Sequence, residues 1–336
     1  MKVLAVTNML PTPDSPHAGR FIEQQIKALR RTGLNLDVLL LDRQQQGMWV
    51  YASLPEKLAE VVSRFNPDLV HVMYGGIMPA MVRYFIRDRP VMVTFHGSDL
   101  LGQPFERPLR RLFSACGVLA SRRAAMQCDG IVAVAQHLVE KLPKNVPHSR
   151  IQVIPCGIDL TLFKPLDQRD CREQLGWAKD GFHVLFQDAT GDPVKRPELA
   201  ITAVDHLKEL GVKAELHYLR GVAYEQVPVW MNASDALLVT SHHEGSPTIV
   251  KEALACNLPI VSVRVGDIPQ RIQKIAGCYL SSTDPNELAL NLQKVRTSSI
   301  KVEARFSLQD LSAASCADRL LEFYELVIGR RGRQSS

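Results

Sequence analysis

Two glutamates eight residues apart, Glu244 and Glu252, bracket a turn whose residue types suit an anion. Gly245 and Ser246 supply a turn and a helix cap, and Pro247 suits the first helical position, where a missing N–H costs nothing. The N–H groups of Thr248 and Ile249 then point out of a helix start, backed by the positive end of the helix dipole. That is a phosphate site. Carboxylates repel a phosphate, so Glu244 and Glu252 need a different task. Separated by about 12 Å along the axis at 1.5 Å per residue, they can accept hydrogen bonds from hydroxyls on either side of the anion. A molecule with a diphosphate in the middle and a polyol at each end is a nucleotide-sugar. Taken singly, each glutamate reads equally well as the surface residue of a capped helix.

Cations and a histidine recur at similar turns. Lys195 and Arg196 immediately precede Pro197, which opens a helix, so both stand beside a second positive helix end. His96-Gly97-Ser98-Asp99 follows an apolar run, placing an imidazole at a strand tip with a glycine turn behind it. Asp99 there reads as a residue that fixes the loop. Gly19 precedes the helix that begins at Arg20 and permits a close backbone approach.

The elements that must position these residues alternate strictly. Short apolar runs at 2–8, 36–41, 68–74, 90–96, 130–135 and 151–155 are separated by segments with helical spacing. A second series follows at 183–188, 214–219, 236–241, 259–265 and 278–281. Strand–helix alternation of this kind predicts an α/β fold with parallel sheets covered by helices on both faces. Ligands in such sheets bind beyond the carboxyl ends of the strands, where His96, Lys195 and Glu244 all fall. The chain is long enough for two domains.

Glu244-x7-Glu252 within EGSPTIVKEALACNLPIVSVRVGDIPQ, with Ile154-Pro155-Cys156-Gly157-Ile158-Asp159 and Phe163-Lys164-Pro165, resembles the retaining GT-B glycosyltransferases of the family-4, group-1 type. The likeness spans essentially the whole chain and is closest over 154–165 and 236–269. It implies two Rossmann-like doubly wound domains facing across a cleft. Residues 1–159 would form the acceptor domain and 160–305 the nucleotide-sugar donor domain. A helix at 306–329 would pack back on the first domain, ahead of a disordered tail at 330–336. It further implies that His96 presses on the donor sugar from the opposite domain and that Glu244 holds that sugar. Glu252 would hold the ribose, and Lys195 would neutralise the diphosphate. His96, Lys195 and Glu244 are thus the expected catalytic residues. Gly19, Lys195, Arg196, Glu244, Gly245, Ser246, Thr248, Ile249 and Glu252 are the expected donor-binding set.

Two departures from the family pattern stand out. An arginine usual about five residues before the lysine is missing, with Ala189 and Thr190 in its place, and Arg196 is the nearby substitute. The segment 220–235 is short, lacking a strand and helix that help hold the base. Tyr224 within it reads either as a base-stacking ring or as local packing.

The expected reaction moves a sugar from a nucleoside-diphosphate sugar to a hydroxyl of a glycan or lipid-linked acceptor in cell-envelope or exopolysaccharide synthesis. A GT-B epimerase or hydrolase, or a catalytically silent nucleotide-sugar-binding protein, would use the same residues. No metal or other cofactor is expected, because Lys195 and the helix start carry the positive charge and no DxD-like carboxylate pair sits in a suitable loop. Seven cysteines without a CxxC pair point to reduced thiols in a cytoplasm, and zinc is not expected.

The net charge of +5 is uneven: residues 1–155 carry 19 Lys and Arg against 12 Asp and Glu. A basic half with no interleaved aromatics argues against nucleic acid and for an anionic membrane at the inner face of the plasma membrane. The basic stretch 105–127, with Arg107, Arg110, Arg111, Arg122 and Arg123, is its best candidate. An ordinary covering helix with a solvated arginine face reads equally well there.

Overall fold

The computed structural model describes residues 1–336 apart from 13–14, 16–17, 104–107, 189–190 and 335–336, and apart from the side chains of 44 and 334. The chain divides into two compact units, Met1–Gly157 with Ala313–Ser336, and Ile158–Ser312.

The first unit contains β1 (Lys2–Thr7), β2 (Asn35–Leu40), β3 (Leu69–Val72), β4 (Val91–Phe95), β5 (Gly130–Ala133) and β6 (Ile151–Val153). They form one sheet in the order β2-β1-β3-β4-β5-β6, parallel throughout. β3, β4 and β5 are buried at every position, as continuous apolar runs covered on both faces must be. The second unit contains β7 (Phe182–Phe186), β8 (Ala214–Tyr218), β9 (Ala236–Val239), β10 (Ile260–Val263) and β11 (Tyr279–Ser281). Its order is β11-β10-β9-β7-β8, again all parallel. Each unit has apolar clusters on both sheet faces. These are two doubly wound sheets, the pair of Rossmann-like units of the GT-B fold.

The stretch expected as one helix over 306–329 is broken. A 3-10 turn at Arg305–Leu311 ends at Ser312, whose extended backbone (φ −61°, ψ 150°) precedes the helix Ala313–Gln334. That helix belongs to the first unit: Leu320, Phe323, Tyr324 and Val327 are buried in a cluster with β1 and the helix Arg20–Arg31. The tail expected to be disordered from 330 is instead helical to Gln334. Arg331 explains the difference, since it pairs with Asp129 at 3.0 Å and donates to the Arg87 carbonyl. Residues 335–336 of that tail lie outside the described residues.

The basic helix runs Pro108–Gln127, so Arg107 also lies outside the described residues. Its first turns are solvent-exposed, with Leu109, Leu112, Phe113 and Leu119 each 59–69% exposed. No helix of the described residues is long and apolar enough to cross a membrane.

Candidate functional site

The chain folds back at the carboxyl ends of the neighbouring strands β7 and β9, and two loops are stitched together there. The loop after β7 is built on Asp188, only 2% exposed, whose Oδ1 accepts the N–H groups of Gly191 (2.6 Å) and Asp192 (3.1 Å). Asp192 accepts the Val194 N–H and caps a short 3-10 turn, Pro193–Lys195. The loop after β9 returns the contact. Its Thr240 hydroxyl donates to the Lys195 carbonyl at 2.6 Å, and its His242 N–H to the Val194 carbonyl at 2.8 Å. Lys195 is thereby delivered to Glu244. Its Nζ donates to Glu244 Oε1 at 2.6 Å, and the Ser241 hydroxyl donates to the same oxygen at 2.7 Å. Two residues 49 positions apart, expected on the diphosphate and the sugar, form one half-buried ion pair.

Arg196 is occupied differently. It sits in the left-handed region (φ 51°) ahead of the helix Pro197–Glu209, and its guanidinium donates to the carbonyls of Thr240 (2.5 Å) and Ser241 (3.3 Å). That is a fastening between the loops. The missing arginine's place, 189–190, lies outside the described residues. A guanidinium unforeseen in the sequence does reach this loop: Arg220, just past β8, pairs with Asp188 Oδ2 at 2.7 Å while remaining 57% exposed. Its signal was positional, as a charged residue past a parallel strand's carboxyl end.

The motif helix runs Thr248–Ala255 and begins one residue later than expected. Pro247 stands outside it with extended backbone (φ −63°, ψ 123°), and no side chain caps the first N–H groups. Ser246, expected as the cap, instead donates its hydroxyl to Asp267 Oδ2 at 2.8 Å. Arg271 reaches the same carboxylate oxygen, and the fully buried Lys251 donates to the Ser246 hydroxyl at 3.3 Å. The Ser246 hydroxyl thus links the buried Lys251 ammonium to the carboxylate that pairs with Arg271. Gly245 is buried in the turn, and a Cβ on Gly266 (φ 58°) would stand 2.8 Å from the Gly245 carbonyl oxygen. Thr248 is half-buried and Ile249 is buried.

Glu252 lies one turn into the helix and is 5% exposed. Burial pushes its carboxyl up from 4.5 to about 7, against the hydrogen bond from Tyr224 and the attraction of Lys251. The Tyr224 hydroxyl donates to Glu252 Oε1 at 3.1 Å, and its ring stands edge-on to Phe163. Tyr224 therefore holds a carboxylate. A carboxyl that receives a Tyr224 hydroxyl and sees little solvent suits a ligand that brings hydroxyls.

His96 follows β4 in the first unit, and both ring nitrogens have partners. A carbonyl can only accept, so Nε2 carries the hydrogen donated to Met73 O at 2.9 Å, and Nδ1 faces Cys156 Sγ at 3.6 Å. The ring stacks on Tyr74 and leans on Phe21. Asp99 fixes the loop, its carboxylate accepting the N–H groups of His96, Gly97 and Gly75. Gly19 is required by the fold itself: at φ 63° a Cβ would lie 2.6 Å from the Met9 carbonyl oxygen.

Two family models match, Glycosyltransferase Family 4 over residues 18–162 and Glycosyl transferases group 1 over 179–297. The chain is 25% identical over 270 residues to the D-inositol 3-phosphate glycosyltransferase of Geodermatophilus obscurus, covering 68% of this chain and 59% of that one. It therefore spans about three fifths of that relative's length. It is 23% identical over 329 residues to a Bacillus subtilis (strain 168) protein named for teichuronic acid biosynthesis, TuaC, covering 80% of this chain and 82% of that one. Among solved structures, Anabaena Alr3699/HepE in complex with UDP and glucose superposes with a TM-score of 0.69 at 18% identity, covering 97% and 99% of the two chains.

Proposed function

The chain belongs to the group-1, family-4 glycosyltransferases, and from that premise we propose that it moves a sugar from a nucleoside-diphosphate sugar to a hydroxyl of a glycan or lipid-linked acceptor. The reading includes retention of anomeric configuration, no metal in the transfer, and a place in cell-envelope synthesis. The observation that carries it is the Lys195–Glu244 pair standing in the same turn as the uncapped start of Thr248–Ala255.

In the reaction the anomeric carbon–oxygen bond to the diphosphate breaks, and its electron pair leaves with the diphosphate. The acceptor oxygen takes the anomeric carbon, and its proton ends on a diphosphate oxygen. Negative charge develops on the leaving oxygen, so preorganised positive groups lower the barrier. Lys195 and the N–H groups of Thr248 and Ile249 supply them, and Arg220 supplies the guanidinium missing at 189–190. Lys195 moving to the diphosphate would release Glu244 to accept sugar hydroxyls. Glu252, aligned by Tyr224, accepts from the ribose. With both ring nitrogens engaged, His96 is assigned no proton transfer.

The acceptor side of the reading includes an anionic membrane. Leu109, Leu112, Phe113, Cys116 and Leu119 recur at helical spacing, exposed, on a helix that also exposes Arg110, Arg111, Arg122 and Arg123. Apolar side chains beside arginines suit an interfacial helix on anionic lipid.

The deciding experiment is thermal shift against UDP-, GDP-, ADP- and dTDP-sugars with Glu252→Gln alongside, then acceptor screening with the donor that binds. UDP-glucose is the first to try, given the ligands named with the Anabaena structure. A ligand bound only by the folded state raises Tm. A shift with one donor, reduced in the variant, and transfer to an acceptor supports the reading. Binding without any transfer turns it into a nucleotide-sugar-binding protein, and no shift with any donor defeats it.

A further inference from the structure

At the other end of the second sheet, two adjacent strands bring three metal-ligating side chains onto one face. His183 is the second residue of β7, and Glu215 and His217 lie two apart on β8, with Cα register His183↔Glu215. Alternate residues of a strand share a face, and a residue directly across the ladder joins them. His183 Nδ1 lies 2.8 Å from His217 Nε2, and Glu215 Oε2 lies 3.9 and 3.7 Å from these two nitrogens. The atoms all fall within 4.8 Å of one another.

We propose that His183, His217 and Glu215 form a site for a divalent transition metal of the zinc class, clipping the edge strand β8 to β7. Two imidazoles and one carboxylate are a zinc ligand set, with a water completing the tetrahedron. The outer contacts are those that such a site needs. His183 Nε2 faces the Ala178 carbonyl at 2.8 Å; a carbonyl only accepts, so the hydrogen is on Nε2 and the Nδ1 lone pair faces the cluster. His217 is held flat against Trp177, with ring centroids 3.6 Å apart and planes at 12°. Arg172, whose charge reaches His217, is itself paired with Asp235 at 2.7 Å. Zn–N bonds of about 2.0–2.1 Å at a tetrahedral angle put the two nitrogens about 3.3 Å apart. The pair must therefore open, and Glu215 close, by about half an ångström each. His183 is fully buried whereas Glu215 is half exposed, giving the ion an entry from solvent. His217 would move its hydrogen from Nε2 to Nδ1 on binding.

The proposal is independent of the donor site, because these residues lie within β7 and β8 whereas Lys195 and Glu244 stand in the loops that follow β7 and β9. The test is titration of chelator-stripped, reduced full-length protein with Co²⁺ and then Zn²⁺. The expected result is one equivalent of Co²⁺ giving tetrahedral d–d absorption without a thiolate-to-cobalt charge-transfer band. That band distinguishes this site from the seven cysteines. Zn²⁺ should displace the cobalt and raise Tm by about 2–4 °C. Glu215→Gln, a change at a half-exposed position, should weaken binding at least tenfold with the apo-protein Tm unchanged, and His217→Gln should abolish it. No stoichiometric cobalt spectrum, or the same spectrum and affinity in both variants, overturns the proposal. The three groups would then be a hydrogen-bonded edge cluster only.

Discussion

Lys195 and Glu244 hold each other at 2.6 Å, and a ligand that uses both must part them. On the proposed reaction, removing the lysine removes the positive charge that would meet the negative charge on the leaving diphosphate. Lys195→Ala should therefore lower kcat by about 10²–10³, the size found for a lost oxyanion donor. Steady-state kinetics check this, and near-normal kcat would strip Lys195 of its role. Glu252 gives a prediction of opposite sign for stability. Its folded-state pKa is raised to about 7 from 4.5, so between those values the unfolded chain has released a proton that the folded chain retains. Stability then falls as pH rises through that window, and the cost is complete above about 7. Glu252→Gln should be more stable than the parent at pH 8 by on the order of 1–3 kcal/mol, indistinguishable at pH 4.5, and impaired in donor binding. Urea melts at the two pH values test it; equal stability at pH 8 would mean that Glu252 is solvated. Which types of residue stand at the tips was legible in the sequence. Which of them touch was not: Arg220 meets Asp188 across 32 positions and Tyr224 meets Glu252 across 28.

Among elements, the strands and most helices follow from local pattern, because an apolar run buried on both faces reads the same in any context. The helix starts show where that ends. Pro197 opens its helix as expected, but Pro247 stays outside its own, because Ser246 is drawn off to Asp267 and the turn must pack under Gly266. The helix Pro108–Gln127 carries a prediction at this scale. Phe113, 65% exposed, has no burial to lose, so Phe113→Glu should leave Tm within about 1 °C yet abolish sedimentation with anionic vesicles. Unchanged sedimentation, or none in the parent protein, would return that helix to an ordinary covering role.

At the scale of the molecule, the chain's last helix belongs to its first unit. Phe323 is 3% exposed in the cluster with β1, and the Tyr324 hydroxyl meets buried His71 at 2.7 Å. Phe323→Ala should destabilise the protein by about 3–5 kcal/mol, read by calorimetry. An unchanged transition would remove the helix from that core.

By itself the sequence determined the strand–helix alternation, the parallel sheets, and which charged residues stand at their carboxyl tips. Each depends on residues within about ten positions of one another, through apolar periodicity, proline and glycine. Only the tertiary structure decided the partners. It paired Lys195 with Glu244, spent Arg196 on two carbonyls, paired Arg220 with Asp188, and set His183 beside His217. Those contacts join different strands of a sheet or the loops that follow them, and which strands and loops are neighbours is chosen by strand order and register, which no local pattern encodes.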